Sequence, residues 1–399
     1  MSAKDDDNGC LSKFCFFKNT KKGSEYENLE LDGFMSYMHR KEPSSNPALR
    51  GDLSLVSNAK GADGRQGNKI KAEISREERV TNLHVIEDIY YSTVNRSEGG
   101  VWKSYDPSAF KPIKLNMAKG SCSQIHLVQH IASGYLGVMK VIPANREFNA
   151  KAELNVLAEC TDSPFILQLI DAFSLERTSF IFLEYAPFRS LDDLTQIADG
   201  IGSEKCMLFA LEILLAIQHL HGRRILHRDI KPENVFLLIS GHVKLGDFSS
   251  STYLDPKTNK ARGLCCTYMT RPPEVWNYEY YSYPVDVWAF GISIYNIITN
   301  TWPIVHASQE RQIAHVNRAD IFFSNLFSAD AADLITRAVQ TKPENRWTIS
   351  DLISHKYFHT LRDPFPAPYS PSELMEMYSI NHTMLEELTF IQDMVARLP

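Results

Sequence analysis

A chain of 399 residues, 44% hydrophobic and 23% charged, has the composition of a soluble globular protein with one or two domains. Its net charge of −6 gives no ground for broad nucleic-acid binding, and its basic clusters (Lys18 to Lys22, Arg223 with Arg224) are short and scattered. The seven cysteines show no paired zinc spacing, and Cys265 and Cys266 do not bridge easily as neighbours. An odd count without an apolar leader points to a reducing compartment, the cytoplasm or alternatively the nucleus. The longest apolar stretch, Met207 to Ile217, is broken by Glu212 and is too short for an integral membrane segment.

Residues 1–105 are rich in Lys, Asp, Glu, Asn, Ser and Gly, with no apolar period, and are expected to be a largely disordered extension. Within them Val80 to Val94 mixes apolar and aromatic residues, as a docking helix or a linker with a transient helix would. From Phe110 the pattern changes. Ile113 to Met117, Ile125 to Val128 and Gly137 to Ile142 read as strands, and Phe148 to Glu159 as an amphipathic helix. Leu167 to Ala172 and Phe180 to Glu184 read as two further strands. Helical patterns follow: Leu191 to Ile197, Glu204 to His221, Val285 to Thr299, Ala329 to Val339 and Ile349 to Ser354. A strand-rich part followed by a helix-rich part predicts an α+β, bilobal fold with a cleft between the lobes. Residues 106–360 form this domain. Residues 361–399 are a tail, Pro-rich at first, with a helical pattern from Ser372.

The densest chemistry lies from Ile225 to Ser249. Asp229 is followed by Lys231 two residues on and Asn234 five residues on. A second carboxylate, Asp247, follows a hairpin pattern (Val235 to Leu238, Ser240-Gly241, Val243 to Leu245). The hairpin puts Asn234 and Asp247 at neighbouring strand ends, where two oxygen ligands can share hard divalent cations.

This stretch resembles the catalytic loop and metal-binding segment of the eukaryotic protein kinases, and the resemblance extends over roughly residues 108–360. It implies phosphoryl transfer from ATP with Mg2+ to a protein substrate, a chemistry of positioning and charge neutralisation. Asp229 matches the catalytic aspartate, and Lys231 matches the charge clamp of the serine/threonine branch. Asn234 and Asp247 match the metal ligands. Lys140 matches the lysine that grips the α and β phosphates, and Glu153 its partner on the following helix. Gly120, Ala118 and Ile125 fall on the phosphate-covering loop and its second strand. Val138 falls over adenine, and Glu184 to Ala186 on the hinge whose backbone holds adenine, after the bulky Leu183. His227 and Phe248 match packing residues. Glu274 with Arg346 matches a buried ion pair, and Asp286 matches an anchor for the catalytic-loop backbone. Asp106-Pro107-Ser108-Ala109-Phe110, Leu326 to Asp330 and the Pro364 to Pro371 tail resemble the AGC group. Lys119 to Ser123, Leu254-Asp255-Pro256 and Lys260-Ala261-Arg262 resemble its phosphoinositide-dependent kinases.

Several positions depart from the family pattern. The glycine-rich loop keeps only Gly120, with Ala118 and Ser123 in place of glycines that let backbone approach phosphate. Val138 replaces a small alanine, and Ser249 replaces the glycine after Asp247-Phe248. Counting back from Glu274, Thr267 falls where a threonine would contact Asp229 and Lys231. Gly263 stands where many relatives carry a phosphorylated residue, so Arg228 lacks its usual phosphate. Three outcomes are open: a loop ordered without phosphate, Thr258 as a substitute, or poor activity. The two functional readings are an active kinase and a pseudokinase scaffold that binds partners, with or without nucleotide.

Overall fold

The short β-branched and aromatic runs from Phe110 to Glu184 pair into one antiparallel sheet. Its strands are β1 (Phe110–Lys119), β2 (Gln124–His130), β3 (Leu136–Ile142), β4 (Leu169–Leu175) and β5 (Thr178–Glu184), in the order β1-β2-β3-β5-β4. Helix α1 (Glu147–Glu159) lies between β3 and β4 in sequence. The computed structural model describes residues 109–119, 123–132, 134–143, 147–175, 178–361 and 367–379. All of them lie in the unit Lys69–Pro399. The expectations for residues 1–105, including the helix over Val80 to Val94, fall outside the described residues, as does Gly120.

Strand register decides what faces the cleft. Lys140 pairs with Ile125 and Ile181, and Val138 with Leu127 and Leu183. Side chains alternate along a strand, so Ile125, Val138, Lys140 and Leu183 share one face. The opposite face is closed by aromatic rings: Phe110 lies 4.8 Å from Phe182 and 6.1 Å from Phe173, centroid to centroid. Gly137 is required there, because a Cβ on it would stand 2.1 Å from the Phe182 ring.

The larger lobe is built on α2 (Leu191–Ala198), α3 (Gly202–Gly222) and α5 (Pro284–Thr299). A capping box starts α2: Ser190 accepts from the Asp193 amide, and the Asp193 carboxylate accepts from the Ser190 amide. Helix α5 is almost wholly buried from Val285 to Ile298, as its near-continuous apolar sequence requires. Short strands β6 (Ile225–Leu226), β7 (Val235–Leu237), β8 (Val243–Leu245) and β9 (Thr252–Tyr253) form two small ladders, β6 with β9 and β7 with β8. Glu212, which interrupts the apolar run of α3, is buried and anchors that hairpin. It accepts from the Val243 amide at 2.9 Å and pairs with His242 Nδ1 at 2.5 Å.

The remaining helices are α4 (Pro273–Trp276), α6 (Gln309–Val316), α7 (Ala329–Ala338), α8 (Ile349–Ile353) and α9 (Pro371–Ser379). Helix α6 was not legible as a helix, because its apolar contacts are few (Ile313 and Val316) and a polar residue, Gln312, takes a buried position beside them. Gln312, fully buried, accepts from the His306 amide and donates to Ile304 O. The tail helix α9 buries Leu374 and Tyr378 completely, and the Tyr378 hydroxyl donates to Phe188 O at 2.6 Å. Among the described residues no helix is long and apolar enough to cross a membrane.

The expected ion pair is formed. Arg346 donates to both Glu274 oxygens at 2.6 and 2.8 Å and to Pro284 O at 2.8 Å, with both side chains almost wholly buried. Arg346→Ala leaves the Glu274 carboxylate alone in a dry interior, and unfolding in denaturant should then show a loss of about 3–5 kcal/mol.

Candidate active site

The catalytic loop is held from below by one carboxylate. Asp286, with no exposure, accepts from the amides of His227 at 3.0 Å and Arg228 at 2.9 Å and pairs with His221 Nε2 at 2.9 Å. Burial opposes its charge, but the His221 contact, with His227 and the Arg228 amide, outweighs burial and holds the carboxyl below the usual range. Asp286 stabilises Arg228 in the left-handed region, φ +64°, which an ordinary side chain rarely occupies. His227 is fully buried, with Nε2 on Gly246 O at 3.0 Å and its ring edge-on to Phe248 at 5.1 Å. It packs, as expected.

Asp229 then meets three groups. Its Oδ2 is 2.9 Å from Lys231 Nζ and 3.2 Å from Asn234 Nδ2, which also donates to Asp229 O at 2.8 Å. Its Oδ1 accepts from the Thr267 amide at 2.9 Å and the Thr267 hydroxyl at 2.7 Å. Lys231 donates to that same hydroxyl oxygen at 2.8 Å. Thr267 therefore makes the two contacts expected from its distance to Glu274.

Above the loop, Lys140 Nζ reaches Glu153 at 2.7 and 2.9 Å and Asp247 Oδ1 at 2.9 Å. Burial works against the ammonium, but the two carboxylates outweigh it and raise the Lys140 pKa. Asp247 shows the converse: burial disfavours its charge, yet Lys140 holds the carboxyl far below its ordinary value. Glu153, almost unexposed, is raised because burial outweighs the pull of Lys140. Asp247 is left-handed at φ +55°. Helix α1 and β3 supply two members of this triad and the segment after β8 the third, so 107 residues separate Lys140 from Asp247.

The nucleotide-side expectations divide. Ile125 and Val138 lie on the Lys140 face, and Ala118 pairs with Ile125 in the sheet. At the hinge, Ala186 O accepts from the Arg189 amide at 3.1 Å. Glu184 has a role that its sequence position did not disclose. Its carboxylate takes Lys244 Nζ at 2.9 Å on both oxygens and the Gln168 amide at 3.1 Å, with both partners of the ion pair nearly unexposed. This pair ties the end of β5 to β8, and no sequence signal marked Lys244.

Arg228 is engaged by neutral groups of the activation segment and its surroundings. The guanidinium donates from Nε to Ser250 O at 2.7 Å and from one terminal nitrogen to the Tyr281 hydroxyl at 3.1 Å, and that hydroxyl donates to Gly263 O at 3.0 Å. Thr258 sits in a turn capped by Asp255, whose carbonyl engages Arg224 rather than Arg228. Tyr281 is the residue that sequence reasoning missed, because it lies beyond Glu274 and comes to Arg228 only through the fold.

An acidic ledge flanks the loop. The Asp192 carboxyl is pushed up to about 7, first by burial and then by Glu233 and Asp193, against Gln196 and Lys231. Between the unfolded value of about 3.9 and 7, the folded protein binds the extra proton. This contribution is therefore full at low pH and is lost as pH rises through 7. The wild-type melting temperature should fall more steeply between pH 5 and 8 than that of Asp192→Asn, read by thermal unfolding in parallel buffers.

A two-lobed fold with a lysine–carboxylate triad over an aspartate–lysine–asparagine loop is the architecture of the protein kinase class. The chain belongs to the protein kinases, as a divergent member on the serine/threonine side: the protein kinase domain family model matches residues 113–358. It is 27% identical to an Aurora kinase of Debaryomyces hansenii over 65% of this chain and 66% of that protein. It is also 27% identical to the mouse ribosomal protein S6 kinase alpha-2, over 76% of this chain and 43% of that protein. An Aurora kinase of Schizosaccharomyces pombe is 26% identical over 79% of this chain and 89% of its own length. The S6 kinase likeness agrees with the AGC-like features of the sequence.

Proposed function

We propose that this protein is an active serine/threonine kinase that moves the γ-phosphate of magnesium-ATP to hydroxyls of protein substrates. The observation that carries this reading is the Thr267 hydroxyl, which lies between Asp229 Oδ1 at 2.7 Å and Lys231 Nζ at 2.8 Å. An alcohol oxygen in that position has a base for its proton and a cation beside its oxygen, as a substrate hydroxyl needs. Asp229 accepts the proton, Lys231 neutralises charge on the transferring group, and Lys140 grips the remaining phosphates.

The metal ligands also suit the group they would hold. Both hydrogen bonds accepted by Asp247 go to Oδ1, and Asn234 uses its amide nitrogen on Asp229, so its oxygen is not spent on that contact. Among the described residues no cluster of three His, Cys, Asp or Glu could hold a metal by itself. Two protein oxygen ligands are the number that magnesium takes when nucleotide phosphates complete its shell. Bound there, the metal supplies charge neutralisation at the phosphates.

The test is phosphate transfer to generic serine and threonine peptides by the full chain, compared with Asp229→Asn. Transfer by the wild type alone supports the kinase. Magnesium-ATP that raises the melting temperature while neither protein transfers phosphate supports the scaffold instead.

A further inference from the structure

Two thiols face each other in the activation segment, close to Arg228. Cys265 and Cys266 are sequence neighbours whose side chains ordinarily diverge, yet their sulfurs are 3.5 Å apart. The cause is local: Cys266 is left-handed at φ +65°, and Arg271 clamps the turn by donating to Cys265 O and Cys266 O at 2.9 Å each. The guanidinium of Arg271 is itself stacked on Trp276 at 4.4 Å. The pair keeps 8% and 9% exposure, beside the exposed Leu264, so a small oxidant can reach it while a bulky one cannot.

We propose that Cys265 and Cys266 form a reversible vicinal disulfide on exposure to a peroxide, and that this bond lowers phosphate transfer by displacing Thr267. The effect on transfer rests on the kinase reading above; the bond itself does not. Cys265 thiolate attacks a peroxide oxygen, giving a sulfenic acid and releasing hydroxide, which takes a proton as water. Cys266 then attacks the Cys265 sulfur, its thiol proton leaves with the sulfenic oxygen as a second water, and the S–S bond forms. Two thiols are oxidised and one hydrogen peroxide is reduced.

The electrostatics assign these roles. The contact from Cys266 holds the Cys265 thiol below its ordinary value, helped by Tyr281 and by the positive Arg228, while burial opposes. Cys266 is raised, by the same contact and by burial, and so acts second. Closing the sulfurs from 3.5 Å to about 2.05 Å strains the Cys265–Cys266 peptide, one unit before Thr267. That residue's amide and hydroxyl both bind Asp229 Oδ1. A displacement of about 1 Å in such a group costs on the order of 10²-fold in rate.

The experiment treats the full-length protein with hydrogen peroxide, blocks free thiols by alkylation, and measures both phosphate transfer and the mass of the peptide carrying both cysteines. The expected peptide is lighter by two hydrogens and unalkylated, with transfer lowered and both changes reversed by dithiothreitol. Cys266→Gly should fold, because glycine accepts a left-handed φ. It should keep basal transfer and give no such peptide. Oxygen adducts on Cys265 without the lighter peptide, a cross-link to another cysteine, or full alkylation after peroxide would overturn the proposal. Equal inhibition of the wild type and Cys266→Gly would overturn the switch. The mass readout needs no activity, so an inactive protein that still forms the bond would refute the kinase reading and not the site.

Discussion

Asp229→Asn should lower phosphate transfer by about 10²- to 10⁴-fold while the protein melts close to the wild-type temperature. The asparagine oxygen can still accept from the Thr267 amide and hydroxyl, which lie 2.9 and 2.7 Å from Oδ1. Its amide nitrogen, however, replaces the oxygen that faces Lys231 Nζ at 2.9 Å and Asn234 Nδ2 at 3.2 Å. Two acceptor contacts become donor–donor contacts, and the base is gone. The loop itself stays in place, because Asp286 holds the preceding amides independently. Parallel measurement of peptide phosphorylation and thermal unfolding checks both halves. A variant that transfers as well as the wild type would remove Asp229 from the chemistry.

Lys140→Met is expected to have the largest combined effect. It removes the cation shared by Glu153 and Asp247, and Glu153 is 1% exposed. An uncompensated buried carboxylate costs about 3–5 kcal/mol, and transfer should fall below detection because the phosphates lose their clamp. The pH dependence has a definite sign. The Glu153 pKa is already raised by burial and rises further without Lys140, so the variant gains stability as pH falls and Glu153 takes its proton. In the wild type the lowered pKa of Asp247 supplies stability that is present above the unfolded value and lost as pH falls through the acid range. Between pH 5 and 8, both above the unfolded aspartate value of about 3.9, the Asp247 contribution is constant. The Glu153 trend alone therefore makes the deficit of Lys140→Met larger at pH 8 than at pH 5, measured by denaturant unfolding at each pH. A second substitution, Glu153→Gln, should restore part of the loss, and strict additivity would contradict direct coupling.

Legibility in the sequence followed the range of the forces involved. The sheet strands and the major helices were readable because each buries one face and so repeats apolar residues at its own period. Predicted Phe148 to Glu159 is Glu147–Glu159 in the structure, and predicted Val285 to Thr299 is Pro284–Thr299. Helix Gln309–Val316 was missed because one of its two buried residues, Gln312, is polar, which leaves the apolar period too short to read. The six groups of the candidate site (Asp229, Lys231, Asn234, Asp247, Lys140 and Glu153) were readable for a different reason. The segment from Asp229 to Asp247 resembles that of the protein kinases in residue types and spacing, and that resemblance implies Lys140 and Glu153 on the strand and helix before it.

What the sequence determined by itself is therefore the fold class and the chemical set: two lobes, a hairpin separating Asn234 from Asp247, and a lysine and glutamate thirteen residues apart. Only the tertiary structure decided how Arg228 is satisfied, where Glu184 points and how close the two cysteine sulfurs come. Tyr281 meets Arg228 across 53 residues, and Lys244 meets Glu184 across 60. Neither partner sits in a short repeating pattern, and both contacts exist because buried charges find partners wherever packing brings them. The left-handed turn at Cys266 is likewise set by Arg271, not by the identity of the two residues it brings together. Neighbouring cysteines were expected not to bridge easily, and Cys265 and Cys266 are free thiols in the structure. What the left-handed turn adds is a sulfur–sulfur contact of 3.5 Å, which an extended backbone, with successive side chains diverging, would not give.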